Sequence, residues 1–209
     1  MPTLYRSWTS GPGLTATLAI VLLLLCAWIA AMRQFEVEGI RMVIRFTARS
    51  SLLLFCLAFA ASSLARLWPA RATSWLLRNR RYIGLSFVAS HLIHVVAIAC
   101  FAAMAPALFR EATSPASFIF GGIGYAFIVA MAATSCDRSA AAIGPRAWKI
   151  LHTSGIYYLW FQFMVSFGMR IPQMPNYIWF LAPLVAVMAI RIAAVFYARK
   201  TDPRALRTQ

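Results

Sequence analysis

The stretch Arg80-Arg81-Tyr82-Ile83-Gly84-Leu85-Ser86-Phe87-Val88-Ala89-Ser90-His91-Leu92-Ile93-His94 decides how this chain is read. Two arginines run directly into an apolar segment with no further formal charge before Arg110. Several segments of this kind exceed the roughly 18 apolar residues needed to cross a bilayer. Across 209 residues, 62% are hydrophobic and only five are acidic, which a soluble domain does not match. The expected fold is an all-α integral membrane protein, a single membrane domain over 1–209. Its six spans are placed at about 14–32, 46–68, 82–105, 117–135, 146–168 and 177–197. Nothing remains for a soluble domain of ~100 residues.

The charge of +15 would point to nucleic acid in a soluble protein. Here the basic residues lie mainly in short loops and tails, the pattern of membrane topology and anionic lipid headgroups, so no nucleic-acid partner is expected. The termini and the second and fourth loops hold thirteen: Arg6, Arg66, Arg71, Arg78, Arg80, Arg81, Arg138, Arg146, Lys149, Arg199, Lys200, Arg204 and Arg207. The other side holds six: Arg33, Arg41, Arg45, Arg49, Arg110 and Arg170, and Arg191 lies alone inside the sixth span. Cationic loops stay cytoplasmic, so both termini are expected inside. Trp68, Trp75 and Trp148 on that side, and Trp28 and Trp179 on the other, suit interfacial belts. The run from Leu14 to Met32 reads as a span, not a signal peptide. Cys26, Cys56, Cys100 and Cys136 form no C-x-x-C pair and read as small core residues rather than a disulfide or metal framework, with Cys136 nearest a helix end.

A histidine in hydrocarbon must satisfy both ring nitrogens, and an ionisable residue there is a functional candidate. His91 and His94 share the third span, and His152 lies in the fifth. They fit three roles. They hydrogen-bond neighbouring helices, with Ser90, Thr153, Ser154 and Ser166 in reach. They relay protons, although the spans contain no Asp or Glu. Or they ligate haem iron from two parallel spans, as a helical bundle allows. Zinc would want three or four ligands, with carboxylate or thiolate support that is absent at this depth. No C-x-x-C-H is present for covalent haem attachment. Gly155, one turn after His152, and Gly122 in the fourth span leave room for a flat macrocycle, as they also would for close helix packing. Arg80, Arg81, Arg146 and Arg49 are candidate contacts for haem propionates or a flavin phosphate, or plain interfacial anchors.

Several short motifs carry a family resemblance. Phe46-Thr47-Ala48-Arg49-Ser50 resembles the F-T-G-R-S/T opening of the second span in ferric-reductase-like transmembrane proteins, with Ala48 where glycine is usual. Leu64-Ala65-Arg66 resembles that span's exit. Arg80-Arg81-x-x-Gly84-Leu85 followed by His94 resembles the third span, and Trp148-x-x-Leu151-His152 the start of the fifth. The resemblance covers about residues 45–165. It is greatest to the family's short bacterial branch, the haem-binding subunit of a periplasmic methionine sulfoxide reductase system. It implies a bacterial inner-membrane subunit with one or two haems b. Such a subunit is an electron-transfer component of a multi-protein system. It takes electrons from a separate cytoplasmic flavin reductase or a quinol, with FMN as a further cofactor candidate, and passes them to a periplasmic redox partner. The alternative is a haem-free membrane subunit or small transporter with structural histidines.

The family's second histidine in the fifth span falls here near Val165, between Met164 and Ser166, and His91 is extra. At 1.5 Å per residue, His91 lies about 15 Å beyond Arg81, His94 about 20 Å, and His152 about 9 Å beyond Arg146. That arithmetic favours His91 over His94 as the partner of His152, and leaves Met164 or Met169 as soft candidates beside His94.

Overall fold

The computed structural model describes residues 8–201. Arg6, Arg204 and Arg207, named above, lie outside the described residues. Among the described residues every regular element is helical: α1 (Gly11–Ala31), α2 (Val37–Leu67), α3 (Arg71–Met104), α4 (Pro106–Ala112), α5 (Pro115–Ala133), α6 (Asp137–Gly168) and α7 (Ile178–Thr201), with a 3₁₀ turn at Pro175–Tyr177 before α7. Five stretches are long and apolar enough to cross a membrane: α1, α2, α3, α5 and Pro175–Thr201. The long α6 is not among them. His152, Thr153, Ser154, Tyr157, Tyr158, Trp160 and Gln162 dilute its hydropathy.

Two expected loops are largely helix. The basic segment before Tyr82 belongs to α3, which begins eleven residues earlier than expected, at Arg71. Only Trp68, Pro69 and Ala70 make the turn. Thr73 closes it: its hydroxyl accepts from the Ala70 N–H at 3.0 Å and donates to the Trp68 carbonyl at 2.7 Å. Arginine, alanine and leucine then sustain the helix once it is started. The polar segment before Phe46 is likewise helical from Val37, where Glu38 pairs with Arg41 at 3.4 Å and Arg45 at 3.1 Å. The short α4 occupies what was expected to be loop after Pro106.

The fifth expected span is the second limb of α6. Gly144 breaks that helix with φ 79° and ψ 159°, a region open essentially to glycine alone. Pro145 follows and removes a helical N–H. Gly144→Ala is therefore expected to destabilise the fold by about 1–3 kcal/mol, read as a lower melting temperature in detergent. Thr134→Ser serves as a neutral comparison.

The core is centred on α2. It packs most extensively on α3 and also meets α1 and α7, while α6 packs on α5 and α7. Phe55, Phe59, Phe87, Phe163 and Leu184 are buried there. A polar seam runs through it. Thr47, Ser51, Ser86 and Ser90 are each 0% exposed. The Ser90 hydroxyl lies 2.9 Å from both Ser50 Oγ and Ser51 Oγ, and donates to the Thr47 carbonyl at 3.3 Å. Small hydroxyl residues let two backbones approach closely and satisfy one another without water. Ser90 is thus spent on α2 and is not a histidine partner.

Contacts across the bundle define its two ends. Gly11 N–H donates to Asn79 Oδ1 at 2.9 Å, and Arg81 pairs with Asp137 at 2.9 Å. The starts of α1, α3 and α6 therefore share an end with Trp68. At the other end, Arg49 of α2 lies over Tyr177 and Phe180.

Candidate cofactor site

The seam between α2 and α3 positions His94. Its Nδ1 lies 2.9 Å from Thr47 Oγ1. The Thr47 hydroxyl also lies 2.7 Å from the Val43 carbonyl and 3.1 Å from the Ile44 carbonyl. A carbonyl can only accept, so the threonine proton goes to the backbone and the oxygen accepts from His94 Nδ1–H. This assigns the tautomer from the network: Nε2 keeps its lone pair and is free to bind a metal. A ligating histidine anchored through its other nitrogen is the usual arrangement.

One turn earlier on α3, His91 sits in an aromatic box. Its ring centroid is 4.7 Å from Phe87, 5.6 Å from Tyr125, 5.9 Å from Phe163 and 5.5 Å from His94. Its Nδ1 is buried and has no hydrogen-bond partner among the described residues. Tyr125 donates to the His91 backbone carbonyl at 3.3 Å, not to the ring. A buried orphan of this kind costs about 1–3 kcal/mol and needs an explanation.

His152 is placed differently. Its Nε2 lies 3.1 Å from Thr134 Oγ1, and its ring stacks on Trp148 at 4.3 Å. Its partners are thus Thr134 and Trp148, not Thr153 or Ser154. The expected depth match between His91 and His152 does not hold. His91 is level with Phe163, eleven residues beyond His152, or about 16 Å along α6. His91 and Tyr125 meet likewise nine residues, about 14 Å, before Thr134 on α5. The kink at Gly144 and the early start of α3 shift the two helices against each other, which counting from Arg81 and Arg146 missed. The histidines form two levels, His91 with His94, and His152 alone. At the first level α6 offers Phe163, with Met164 partly buried beside the core, while Met169 is 74% exposed.

The four candidate arginines have separate surroundings. Arg49 lies 5.0 Å over the Phe180 ring and 6.0 Å over Tyr177. Arg170, counted in the sequence only as a loop cation, donates to Tyr177 OH at 3.5 Å. Arg80 donates to Ser62 Oγ at 3.1 Å. Arg81 is spent on Asp137, and Arg146 is exposed at the surface. Gly155 is buried against α5: a Cβ there would meet Met131 Sδ at 2.6 Å and Phe127 Cδ1 at 3.2 Å. Gly122 is exposed, with nothing within 4 Å of a Cβ position. Of the two glycines only Gly155 faces the packed interior.

Fold and site together define a multi-pass membrane bundle with imidazoles held at two depths. The chain belongs to the family described as the ferric reductase like transmembrane component, whose model matches residues 46–165. It is also 28% identical over 137 residues to the protein-methionine-sulfoxide reductase heme-binding subunit MsrQ of Ralstonia nicotianae. That match covers 65% of this chain and 62% of the relative's own length. No solved structure matches.

Proposed function

We propose that this chain is a b-type haem subunit carrying electrons across a bacterial inner membrane. Six helices would span, with α6 as the sixth and both termini cytoplasmic on the basic-loop count. The donor would be a flavin reductase or a quinol at the Trp68 end, where the basic residues also suit an FMN phosphate. The acceptor would be a periplasmic enzyme such as a methionine sulfoxide reductase. The single observation that carries this reading is His94, anchored through Nδ1 by Thr47 with Nε2 left free. The buried orphan nitrogen of His91, one turn away, fits the same group. Arg49 and Arg170 supply cations beside that level for a propionate.

When bound, haem b supplies a one-electron iron couple. The chain's own residues do the rest. Thr47 fixes the His94 ring; Phe87, Phe163 and Tyr125 keep water out; the hydroxyl seam holds α2 and α3 at a fixed distance. No side chain at either level is needed to move a proton. For His152 a second role is favoured by its own contacts, since Thr134 and Trp148 already hold the ring. Ligation there would use Nδ1, or Nε2 after Thr134 turns away.

The test is a dithionite-reduced spectrum of the purified chain with pyridine haemochrome quantitation. A b-type alpha band with one or two haems per chain is expected. Its absence would leave the haem-free alternative.

A further inference from the structure

Two half-buried guanidiniums lie along neighbouring turns of α2, with no acid paired to either among the described residues. Arg80 of α3 donates to Ser62 Oγ at 3.1 Å. Arg191 of α7 donates from Nε to Tyr157 OH at 2.9 Å and from Nη1 to the Phe59 carbonyl at 3.4 Å. Its guanidinium also lies 4.8 Å over the Phe59 ring and 5.2 Å over Tyr157. Phe59 and Ser62 are one turn apart on α2, about 4.5 Å along the axis.

Each guanidinium has five N–H donors and cannot lose its proton. Arg191 uses two of its donors and Arg80 one. The acids among the described residues are elsewhere. Glu38 is paired with Arg41 and Arg45, and Asp137 with Arg81. Glu36 and Glu111 lie at the opposite end of the bundle, and Asp202 is outside the described residues. A half-buried pair of cations with unspent donors calls for a counter-anion.

Depth selects the anion. Ser62 and Phe59 lie five and eight residues before Leu67, about 8 and 12 Å inside the end of α2. Trp68, at that end, is 57% exposed. A lipid phosphate would have to sink about 10 Å below the tryptophan level to reach the pair. Tyr157, which holds Arg191, lies between the two histidine levels: about 8 Å beyond His152 and about 9 Å short of Phe163. An acid attached to a flat apolar molecule bound at either level is already at this depth.

We infer that Arg80 and Arg191 form one oxyanion site whose occupant is the propionate edge of a haem. This rests on the haem reading above, and the two can fail separately. The experiment uses the full chain in nanodiscs, as wild type, Arg80→Gln, Arg191→Gln, Arg191→Lys and, as a distant control, Arg45→Gln. Haem affinity, midpoint potential and co-purified phospholipid are measured. Each glutamine variant at the site should bind haem roughly tenfold more weakly, the loss of one charge-assisted contact. The midpoint potential should fall, because a nearby cation favours the reduced iron. Arg191→Lys, which keeps the charge and so guards against misfolding, should hold the potential near wild type while still weakening binding. Arg45→Gln should change neither. A wild-type chain without a b-type band overturns both readings. A haem-loaded wild type whose glutamine variants keep its affinity and potential overturns this one alone. So does loss of a tightly bound phospholipid, in place of haem, from those variants.

Discussion

His94→Ala is expected to strip haem from the level it shares with His91, the largest single change in the spectrum of this chain. The reasoning starts from a proton. Thr47 gives its own to the α2 backbone, so its oxygen can only accept from His94, and His94 Nε2 is left with a lone pair. No other imidazole on α3 is held this way. His91 has no anchor for either ring nitrogen among the described residues, and its Nδ1 is sealed among aromatic rings. Rescue by His91 would need the ring to swing out of contact with Phe87 and Phe163. Thr47→Val tests the same chain of argument one step back. It keeps shape but removes the acceptor, and should weaken haem binding about 10–100-fold. If Thr47→Val binds haem as wild type does, the tautomer argument fails even should His94 prove to be a ligand. Haemochrome quantitation on size-exclusion-purified protein reads both variants.

Much of this architecture was legible in the sequence, for a physical reason. A span announces itself through uncharged length, and the motifs around Arg49, Arg81, His94 and His152 mark the family. The helix starts were not legible. Basic residues before Tyr82 look like loop to any hydropathy argument, yet arginine sustains a helix as well as leucine does, and Thr73 supplied the start. That error propagated into depth. Counting from the charged residues put His91 beside His152, whereas α3 is longer and α6 bends at Gly144. The partners of the histidines were hidden for a different reason. Thr47 sat inside a recognised motif but was read as part of a pattern, not as a hydrogen-bonding group. Thr134 lies eighteen residues before His152, on the preceding helix, a separation no helical periodicity links. Arg191 stood out as a lone cation in an apolar segment. Its significance appears only when α2, α3 and α7 meet.

His152→Ala and His94→Ala are expected to remove haem independently, and this decides how electrons would cross the chain. The two levels lie about 14–16 Å apart by the rise of α5 and α6, too far for His152 to share an iron with either residue of α3. If both levels are loaded, each single variant should lose one of two haems, and the double variant should lose both. If only the His94 level is loaded, His152→Ala should keep its full haem complement. It would then lose only the hydrogen bond to Thr134 and the stack on Trp148, about 1–3 kcal/mol of stability. In either case the losses add, because sites this far apart with no shared partner behave independently. One result contradicts the geometry: His94→Ala and His152→Ala, made separately, each emptying a one-haem chain. That would mean one iron held between α3 and α6, and a sliding of the two helices by about ten residues. The kink at Gly144 sets how α6 enters the bundle. Combining Gly144→Ala with each histidine variant would show whether that kink is involved, since straining it should then alter haem content as well as stability.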